Sequence, residues 1–361
     1  MTDAHDRTYM KMALELAERG RGKTTPNPMV GAVIVKNGRV VGRGYHKKAG
    51  TAHAEIVALK DAARAARGAT MYVTLEPCCH FGRTGPCAMA VIDAGIKRVY
   101  YAIKDPNPLV NGRGAAMLRK GGVETQAGPM RSEASRLNEV YLKFVTTGRP
   151  FVTLKLAQSL DGRIAASTGD AAWISDMESR RMVHRLRAES DAVVVGSGTV
   201  HADNPGLTVR MVKGRNPYRI VLSSHPDFKR SLKLFTNNDD ARTIIATTKA
   251  AAERLSGKNL TVWSLKKRRG GIDLEDFLEK AGRFGIMSML VEGGGALATS
   301  FLHAGLVDKV MLFTAPMIIG KGMAGVDDLH VTNIAKAIRF TNYAFTPSGG
   351  DILFTGYPKG K

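Results

Sequence analysis

The sequence predicts two α/β domains in one chain, on three observations. First, 361 residues are enough for two ordinary domains, each with its own hydrophobic core. Second, short apolar segments rich in β-branched residues alternate with amphipathic helical segments, which is typical of layered α/β folds. Third, the tetrapeptide Thr-Gly-Arg-Pro at 147–150 interrupts this alternation, and a new strand pattern follows. We therefore predict one domain at residues 1–148 and another at residues 149–361.

In the first domain, two predicted strands come before an alternation of helices and strands. Asn37-Gly38, between apolar runs at 30–35 and 39–45, predicts a hairpin with a type I′ turn. Strands that alternate with helices indicate a sheet whose second half is largely parallel. We predict helices at 6–20, 53–67, 86–94, 113–121 and 131–147, and further strands at 70–75 and 99–103.

The second domain repeats this alternation. We predict strands at 151–157, 192–195, 219–222, 243–246, 260–263, 287–291, 307–314 and 352–355, and helices at 176–188, around 274–281 and up to His303. A glycine run, 293–295, lies between the strand 287–291 and the last of these helices. Free amides at a helix start can receive a phosphate, but a tight turn explains the run equally well. The run is not the six-residue dinucleotide fingerprint.

Composition and charge narrow the class of protein. No run of residues approaches the ~18 apolar residues of a membrane span, and the first residues lack the pattern of a signal peptide. The net charge is +21, made up of +11 in residues 1–148 and +10 in residues 149–361. This even basic excess indicates an anionic partner, such as nucleic acid, a membrane surface or a phosphorylated small molecule. Three clustered cysteines, 78, 79 and 87, favour metal chemistry in a reducing compartment, and we expect the cytoplasm.

The first domain contains a candidate metal site made of three ligands and one further carboxylate. His53 and Glu55 stand at the head of a predicted helix, Cys78 follows a strand end, and Cys87 opens the next helix. One imidazole and two thiolates are three protein ligands, which suits a catalytic zinc site whose fourth position stays open to water. The Glu55 carboxylate could manage the protons of that water.

Two alternatives stay open on the residues alone. A closed structural zinc site would need a fourth protein ligand, for which Cys79 and His80 are the candidates, although structural sites usually have shorter ligand spacing. We expect Cys79 to be a free thiol. Glu76 is a rival to Glu55 for the proton transfer, but its position before Pro77 at a strand end favours a structural role.

These residues resemble the zinc-dependent cytidine-deaminase superfamily, in which His-x-Glu supplies one ligand and the general acid/base and two cysteines complete the metal site. The usual second half is Pro-Cys-x-x-Cys, whereas eight residues separate Cys78 from Cys87 here. This longer motif, PCCHFGRTGPC, resembles the pyrimidine deaminase of the bifunctional riboflavin-pathway deaminase–reductases. The resemblance implies a three-layer α/β/α domain, with zinc on His53, Cys78 and Cys87 and with Glu55 as the general acid/base.

The resemblance extends to residues around the predicted metal site. Without it, a side chain such as Asn27 would be an ordinary turn former and His46 a surface histidine on a strand. Arg83 suits a phosphate, since a guanidinium binds oxyanions in bidentate fashion. Six polar side chains fall at the deaminase's substrate-binding positions: Asn27, His46, His80, Arg83, Asp105 and Asn107.

The second half of the chain resembles the reductase of the same enzymes, which has a dihydrofolate-reductase-like fold. The resemblance implies NADPH binding at Ala157, Trp173, Thr199, Asp203, Gly294, Gly295, Ala296, Leu297, Ala298, Thr299 and Ser300. It places the reductase substrate against Lys155, Asp161, Ala171, Arg187, Leu207, Arg210 and Glu292.

Several of these reductase positions would be interpreted differently from residue type alone. Trp173 would be a core residue, and Arg187 and Arg210 would be surface charges. One position also departs from the family, which usually has a serine or another polar residue where this chain has Ala171. We expect a hydroxyl contact to the substrate to be missing or replaced there.

The resemblance implies a bifunctional enzyme. It would deaminate 2,5-diamino-6-ribosylamino-4(3H)-pyrimidinone 5′-phosphate and then reduce the ribosyl group with NADPH. The basic charge suits these phosphorylated ligands, and we expect a homo-oligomer with no nucleic-acid or membrane partner.

Two rival functions remain. A nucleic-acid deaminase fits the charge but not the cysteine spacing or the second domain. A zinc-stabilised nucleic-acid-binding or scaffold protein without catalysis would not need Glu55.

Overall fold

The computed structural model describes residues 4–81, 85–255, 259–268 and 271–359. The chain divides into two compact units, Met1–Gly148 and Arg149–Lys361. Within the described ranges, no helix is long and apolar enough to cross a membrane.

The first unit is one mixed sheet with helices packed on it. In its described part, five strands run in the order β2-β1-β3-β4-β5, antiparallel at β2-β1-β3 and parallel at β3-β4-β5. The strands are β1 (Gly31–Lys36), β2 (Arg39–Tyr45), β3 (Thr70–Val73), β4 (Arg98–Tyr101) and β5 (Glu124–Ala127). The helices are α1 (Ala4–Glu18), α2 (Ala54–Ala62, extended by a 3-10 turn), α3 (Cys87–Asp93), α4 (Arg113–Lys120), α5 (Arg131–Leu137) and α6 (Glu139–Thr147).

The predicted hairpin is confirmed, because β1 and β2 pair and both Asn37 and Gly38 have positive φ. The predicted single helix at 131–147 is wrong. Asn138 interrupts it, and its side chain exchanges two hydrogen bonds with the backbone of Met29. The polar edge strand β5 was not predicted.

Glycine lets α2 approach the sheet of the first unit closely. A Cβ on Gly44, in β2, would collide with the carbonyl oxygen of Ala54 and the amide of Ala58. Because Ala54 is the first residue of α2, this contact fixes where the helix begins and therefore where His53 and Glu55 lie.

The second unit is built on a larger sheet. Its described residues form a nine-stranded sheet, in the order β11-β10-β9-β8-β14-β6-β15-β18-β17, which is parallel except at β15-β18-β17. The main strands are β6 (Phe151–Ser159), β8 (Ala192–Gly196), β9 (Tyr218–Leu222), β10 (Thr243–Thr248), β11 (Leu260–Leu265), β14 (Ser288–Val291), β15 (Lys309–Ala315), β17 (Phe340–Ser348) and β18 (Asp351–Pro358). Two short pairs are β7 (Arg163–Ala166) with β16 (Gly322–Ala324) and β12 (Lys267–Arg268) with β13 (Gly271–Ile272).

Helices cover both faces of this sheet. Alternate residues of β8 belong to two separate core clusters, with Val194 in one and Val193 in the other, as expected for a strand buried on both faces. The helices are α7 (Met177–Glu189), α8 (Ser197–Asp203), α9 (Lys233–Thr236), α10 (Lys249–Ala252), α11 (Leu274–Arg283) and α12 (Gly295–His303). The predicted two-domain α/β architecture is confirmed, whereas β7, β16, β17 and α8 were not predicted.

Candidate active sites

The first unit brings three metal-binding side chains together at the starts of two helices. His53 precedes α2, Cys87 begins α3, and Cys78 lies in the loop between β3 and α3. The Nδ1 atom of His53 lies 3.2 Å from Cys87 Sγ and 3.7 Å from Cys78 Sγ, and the three donor atoms all lie within 4.8 Å of one another. A tetrahedral zinc ion with Zn–S bonds of about 2.3 Å places its ligand atoms about 3.5–4 Å apart. The donors therefore fit zinc.

Among the described residues, this group of donors contains neither Cys79 nor His80. Cys79 is a free thiol, as predicted, and its Sγ donates to the carbonyl of Leu109. Three protein donors, with no fourth in the described part of the chain, are typical of a catalytic zinc site rather than a closed structural one.

Among the three donors, the Cys78 thiol readily loses its proton even without a bound cation. Hydrogen bonds from the Cys87 thiol and from His53 lower the pKa of Cys78 to about 4. The amide of Cys87 also donates to Cys78 Sγ, at 3.3 Å. The hydrogen bond with Cys78 raises the pKa of His53. A thiolate held in this way is ready to receive a cation.

Glu55 lies in the first turn of α2, beside the donors, with only 4% of its surface exposed. Burial, followed by the charge of Cys78, raises the pKa of Glu55 to about 7. A carboxyl group with a pKa near neutrality can both accept and return a proton, which is what a general acid/base requires.

His46 and Asn27 form a hydrogen-bonded pair next to the donor group. Asn27 Nδ2 lies 3.0 Å from His46 Nε2, and His46 Nδ1 lies 3.1 Å from the carbonyl of Ala52. Since a carbonyl can only accept, Nδ1 carries the proton and Nε2 accepts from Asn27. The His46 ring is buried and packs edge-on against His53, with the ring centroids 5.4 Å apart. It is therefore not the surface histidine expected from residue type.

Asp105 and Asn107 lie in the loop after β4. Asp105 is buried and accepts hydrogen bonds from the hydroxyl of Tyr141 and the amide of Asn107, and Asn107 Oδ1 accepts from the amide of Leu109. These are turn-forming contacts, as expected from residue type alone. The Nδ1 atom of His80 is buried with no hydrogen-bond partner among the described residues, which leaves it available to a ligand. Arg83 lies outside the described residues.

The structural role predicted for Glu76 is confirmed. Its carboxylate accepts hydrogen bonds from the amides of Asp105, Gly112 and Ala115, at 2.9–3.2 Å. Glu76 therefore holds the loop after β4 and the start of α4, and Glu55 is the carboxylate next to the metal donors.

The second unit contains a cleft of about 270 Å³. Most of its walls come from the middle of β6, the residues that follow β14, the helix α8 and the segment before α7. Eight residues predicted from the sequence line it: Lys155, Ala157, Ala171, Trp173, Thr199, Asp203, Glu292 and Gly294. The structure thus brings together residues that are up to 139 positions apart in the chain.

A buried ion pair borders this cleft, because one of its members, Glu292, lines it. The Arg187 guanidinium binds the Glu292 carboxylate in bidentate fashion, at 2.7 and 2.8 Å, and their side chains are 13% and 7% exposed. Burial alone would raise the pKa of Glu292, but the charge of Arg187 lowers it below its ordinary value. Burial also lowers the pKa of Lys155. Arg187 is therefore not the surface charge expected from residue type.

The glycine run leads into α12, and Gly294 is the residue before this helix. The amide of Gly294 donates to Thr199 Oγ1 at 3.2 Å, which joins this turn to α8. The amides of Leu297 and Ala298 both donate to the carbonyl of Gly294, and the Ala298 side chain is in the core. The amides of Gly295 and Ala296 therefore remain as the donors at the start of α12.

Most of the other residues predicted for the reductase form hydrogen bonds with other residues of the chain. Thr299 Oγ1 accepts from the amide of Asp327, and Ser300 Oγ donates to the carbonyl of Ala296. Leu207 is buried, and Arg210 is exposed with its amide bound to His184 Nδ1. Asp161 accepts from Ser159 Oγ and from the amides of Ile319 and Gly320, and these contacts lower its pKa to about 2.

Comparison with known proteins agrees with this geometry. Residues 3–103 match the cytidine and deoxycytidylate deaminase zinc-binding region, and residues 150–354 match the RibD C-terminal domain. The riboflavin biosynthesis protein RibD of Aquifex aeolicus is 45% identical over 96% of this chain and 97% of its own length. The chain belongs to the RibD family.

Other RibD proteins are similar over almost the whole chain. The RibD of Escherichia coli strain K12 is 42% identical over 96% of this chain and 98% of its own. A structure of Acinetobacter baumannii RibD superposes with a TM-score of 0.87 at 35% identity, covering 98% of this chain and 99% of that one. A diaminohydroxyphosphoribosylaminopyrimidine deaminase/5-amino-6-(5-phosphoribosylamino)uracil reductase of Thermotoga maritima has a TM-score of 0.85 at 36% identity, over 98% and 99%.

Membership of the RibD family makes this chain an enzyme of riboflavin biosynthesis that joins a zinc-binding deaminase to an NADPH-binding reductase. Sequence reasoning missed two residues at the RibD sites. Tyr141 donates to Asp105 in the first unit, and Arg180 lines the cleft of the second. A signal for Arg180 was present, because it is seven positions from Arg187 on a predicted helix and so lies on the same face.

Proposed function

We propose that the first unit deaminates 2,5-diamino-6-ribosylamino-4(3H)-pyrimidinone 5′-phosphate with Glu55 as the proton carrier. We propose that the second unit then reduces the ribosyl group to give 5-amino-6-ribitylamino-uracil 5′-phosphate. One observation carries the first step: the Glu55 carboxyl group, buried in the first turn of α2, lies beside three zinc-binding donors.

In this mechanism, His53, Cys78 and Cys87 hold a zinc ion, which supplies a Lewis acid that activates water at neutral pH. Glu55 accepts a proton from the attacking water. It passes protons to the ring nitrogen and to the amino group, which leaves as ammonia. Water and an amine are thereby converted into a ring carbonyl and ammonia.

The neighbouring polar residues bind and orient this substrate. The fixed tautomer of His46 holds the amide of Asn27 beside the metal donors, where it would meet the pyrimidine ring. The unpartnered Nδ1 of His80 would contact the same ligand. Asp105, Asn107 and Arg83 would contact its ribose phosphate.

In the reductase cleft, NADPH supplies a hydride to C1′ of the ring-opened ribosylamine. Residues Ala157, Trp173, Thr199 and Asp203 and the segment 294–300 would hold the cofactor. Arg187 and Glu292 would contact the substrate. Lys155 and Asp161 are the candidates for orienting it, together with Ala171, Leu207 and Arg210.

A two-part assay on the zinc-loaded enzyme tests this order of reactions. The diaminopyrimidinone phosphate is supplied without NADPH, and ammonia release is measured. NADPH is then added, and its absorbance near 340 nm is followed. We expect ammonia first and NADPH oxidation second. Oxidation without previous ammonia release would contradict the order. The absence of both signals would favour the nucleic-acid deaminase.

The substitution Glu55→Gln tests the proton carrier. General acid–base catalysis contributes about 10²–10⁴-fold, so kcat for ammonia release should fall by that factor. Bound zinc, measured by metal analysis, should not change, because Glu55 is not a ligand. Reduction of the deaminated intermediate should also stay at the wild-type rate. Unchanged ammonia release would show that another group carries the proton.

We also propose that the enzyme works in the cytoplasm as a homo-oligomer, without a nucleic-acid partner. Support for self-association comes from the sheet edge of the second unit. Tyr343 and Phe345 of β17 are 60% and 66% exposed, and Ile352 of β18 is 53% exposed. Sedimentation of the wild type and of Phe345→Lys would test this. A monomeric wild type would exclude it.

A further inference from the structure

Arg180 has a positive charge that the described part of the chain does not neutralise. It lies on α7 and lines the reductase cleft, and its Nε is buried with no hydrogen-bond partner among the described residues. Its neighbours on the same helix differ, since Arg181 pairs with Glu178 and Arg187 pairs with Glu292. A buried donor without an acceptor destabilises the folded protein. The position of this donor at a cleft therefore indicates that a ligand supplies the missing acceptor.

Trp173 holds the guanidinium of Arg180 in place. The centre of the guanidinium lies 4.1 Å from the centroid of the indole ring. The indole is itself 73% exposed and its backbone has a φ of 63°, so it is not the core residue expected from its type. Stacking covers one face of a guanidinium but leaves its N–H groups directed outward in the plane of the group. These donors match the oxygens of a phosphate.

The charged groups that line the cleft differ in their partners. The Glu292 carboxylate is neutralised by Arg187, whereas the Nε of Arg180 has no hydrogen-bond partner among the described residues. Ala171 lines the cleft together with Trp173 and Arg180, and alanine has no side-chain hydrogen-bond donor. An anion next to these residues can therefore receive side-chain hydrogen bonds from Arg180 but none from Ala171.

We propose that Arg180 binds a phosphate monoester of a ligand in the reductase cleft, with Trp173 keeping the guanidinium in position. This inference rests on the proposed function, which brings two phosphorylated ligands to the cleft. A phosphate monoester is common to the 5′-phosphate of the pyrimidine and the 2′-phosphate of NADPH.

The substitution Arg180→Met tests the proposal against a matched control, Arg181→Met. Both remove one positive charge from adjacent positions of α7, but Arg181 points to Glu178 at the surface. Loss of a charged hydrogen bond should raise KM for the phosphorylated ligand about 10–100-fold in the Arg180 variant, with a much smaller change in kcat. Arg180→Lys should recover part of the loss. Ammonia release and the thermal unfolding profile should match the wild type in all variants, which excludes misfolding.

Ligands that lack one phosphate identify its source. If Arg180 binds the pyrimidine phosphate, the difference between wild type and Arg180→Met should disappear with the dephosphorylated pyrimidine. If it binds the cofactor, the difference should disappear with NADH. Both of these results support the proposal.

Equal KM values for the Arg180 and Arg181 variants would overturn the proposal. So would a defect in Arg180→Met that persists unchanged with both ligands lacking the phosphate. If the wild type oxidises no NADPH, the proposed reductase function fails by itself. Equilibrium titrations of wild type and both variants with NADPH and with the pyrimidine phosphate then still decide whether Arg180 binds a phosphate.

Discussion

The sites of the two units differ in charge. In the deaminase unit, His53, Cys78 and Cys87 lie together, and Cys78 readily becomes a negatively charged thiolate. In the reductase unit, lysine and arginine side chains give the cleft positive charge. The first group is joined by hydrogen bonds between His53, Cys78 and Cys87, which lie within 34 positions of one another. The second depends on the pair Arg187–Glu292, whose members lie 105 positions apart.

The charge of each site matches what that site binds. The Cys78 thiolate, stabilised by its neighbours, favours a cation. Lys155 and Arg180 line the reductase cleft, where the charge of Glu292 is neutralised by Arg187, and so favour anionic ligands. The basic residues are spread evenly over the chain, but the two sites differ in charge. Burial and ion pairing decide which side chains are ionised and which charges remain without a counter-charge.

Removal of zinc should distinguish the activities of the two units most completely. Dialysis against a chelator should abolish ammonia release, because the water then lacks its activating ion. The same sample should still reduce the deaminated intermediate, since Arg187, Glu292 and Lys155 need no metal. Added zinc should restore ammonia release. Loss of NADPH oxidation in the metal-free enzyme would contradict the independence of the two sites.

Breaking the buried ion pair should affect only the reductase unit. Glu292→Gln leaves the Arg187 charge buried without a counter-charge, which costs about 3–5 kcal/mol. Glu178→Gln breaks the exposed pair with Arg181 and should cost about 0–1 kcal/mol. Trp173 and Trp263, the two tryptophans of the sequence, both lie in the second unit, so their fluorescence in a urea titration follows its unfolding. Equal losses in the two variants would refute this difference.

A smaller effect should distinguish the two units by pH. Burial, followed by the charges of Arg187 and Arg210, lowers the pKa of His184 from 6.5 to about 4. Between these values the unfolded chain binds the proton and the folded chain does not, so the stability of the second unit should fall as the pH decreases through this window.

The loss attributable to His184 should be about 1–2 kcal/mol between pH 7 and pH 5. His184→Asn, whose Oδ1 can still accept the amide of Arg210, should lack this contribution. Urea titrations at the two pH values, followed by tryptophan fluorescence, measure it. The same pH dependence in both proteins would show that other groups are responsible.

Much of the architecture follows from local sequence. The period of apolar residues predicted most helices and strands, and Asn37-Gly38 predicted the hairpin turn. Prediction failed where a distant contact decides. Asn138 looks compatible with one helix over 131–147, but its bonds to Met29 divide it. The strand β17 is exposed from Thr341 to Pro347 and so lacks the alternation of a half-buried strand.

The candidate sites divide in the same way. The residues at 53, 55, 78 and 87 could be predicted from the sequence, because the types and spacing of metal ligands and their acid/base partner are constrained by the chemistry they perform, and the structure brings the three predicted ligands together. Only the tertiary structure showed that His46 is buried against His53, that Arg187 is paired and that Arg180 has no such partner among the described residues. These properties depend on burial and on partners far away in the chain, and residue type and periodicity contain neither.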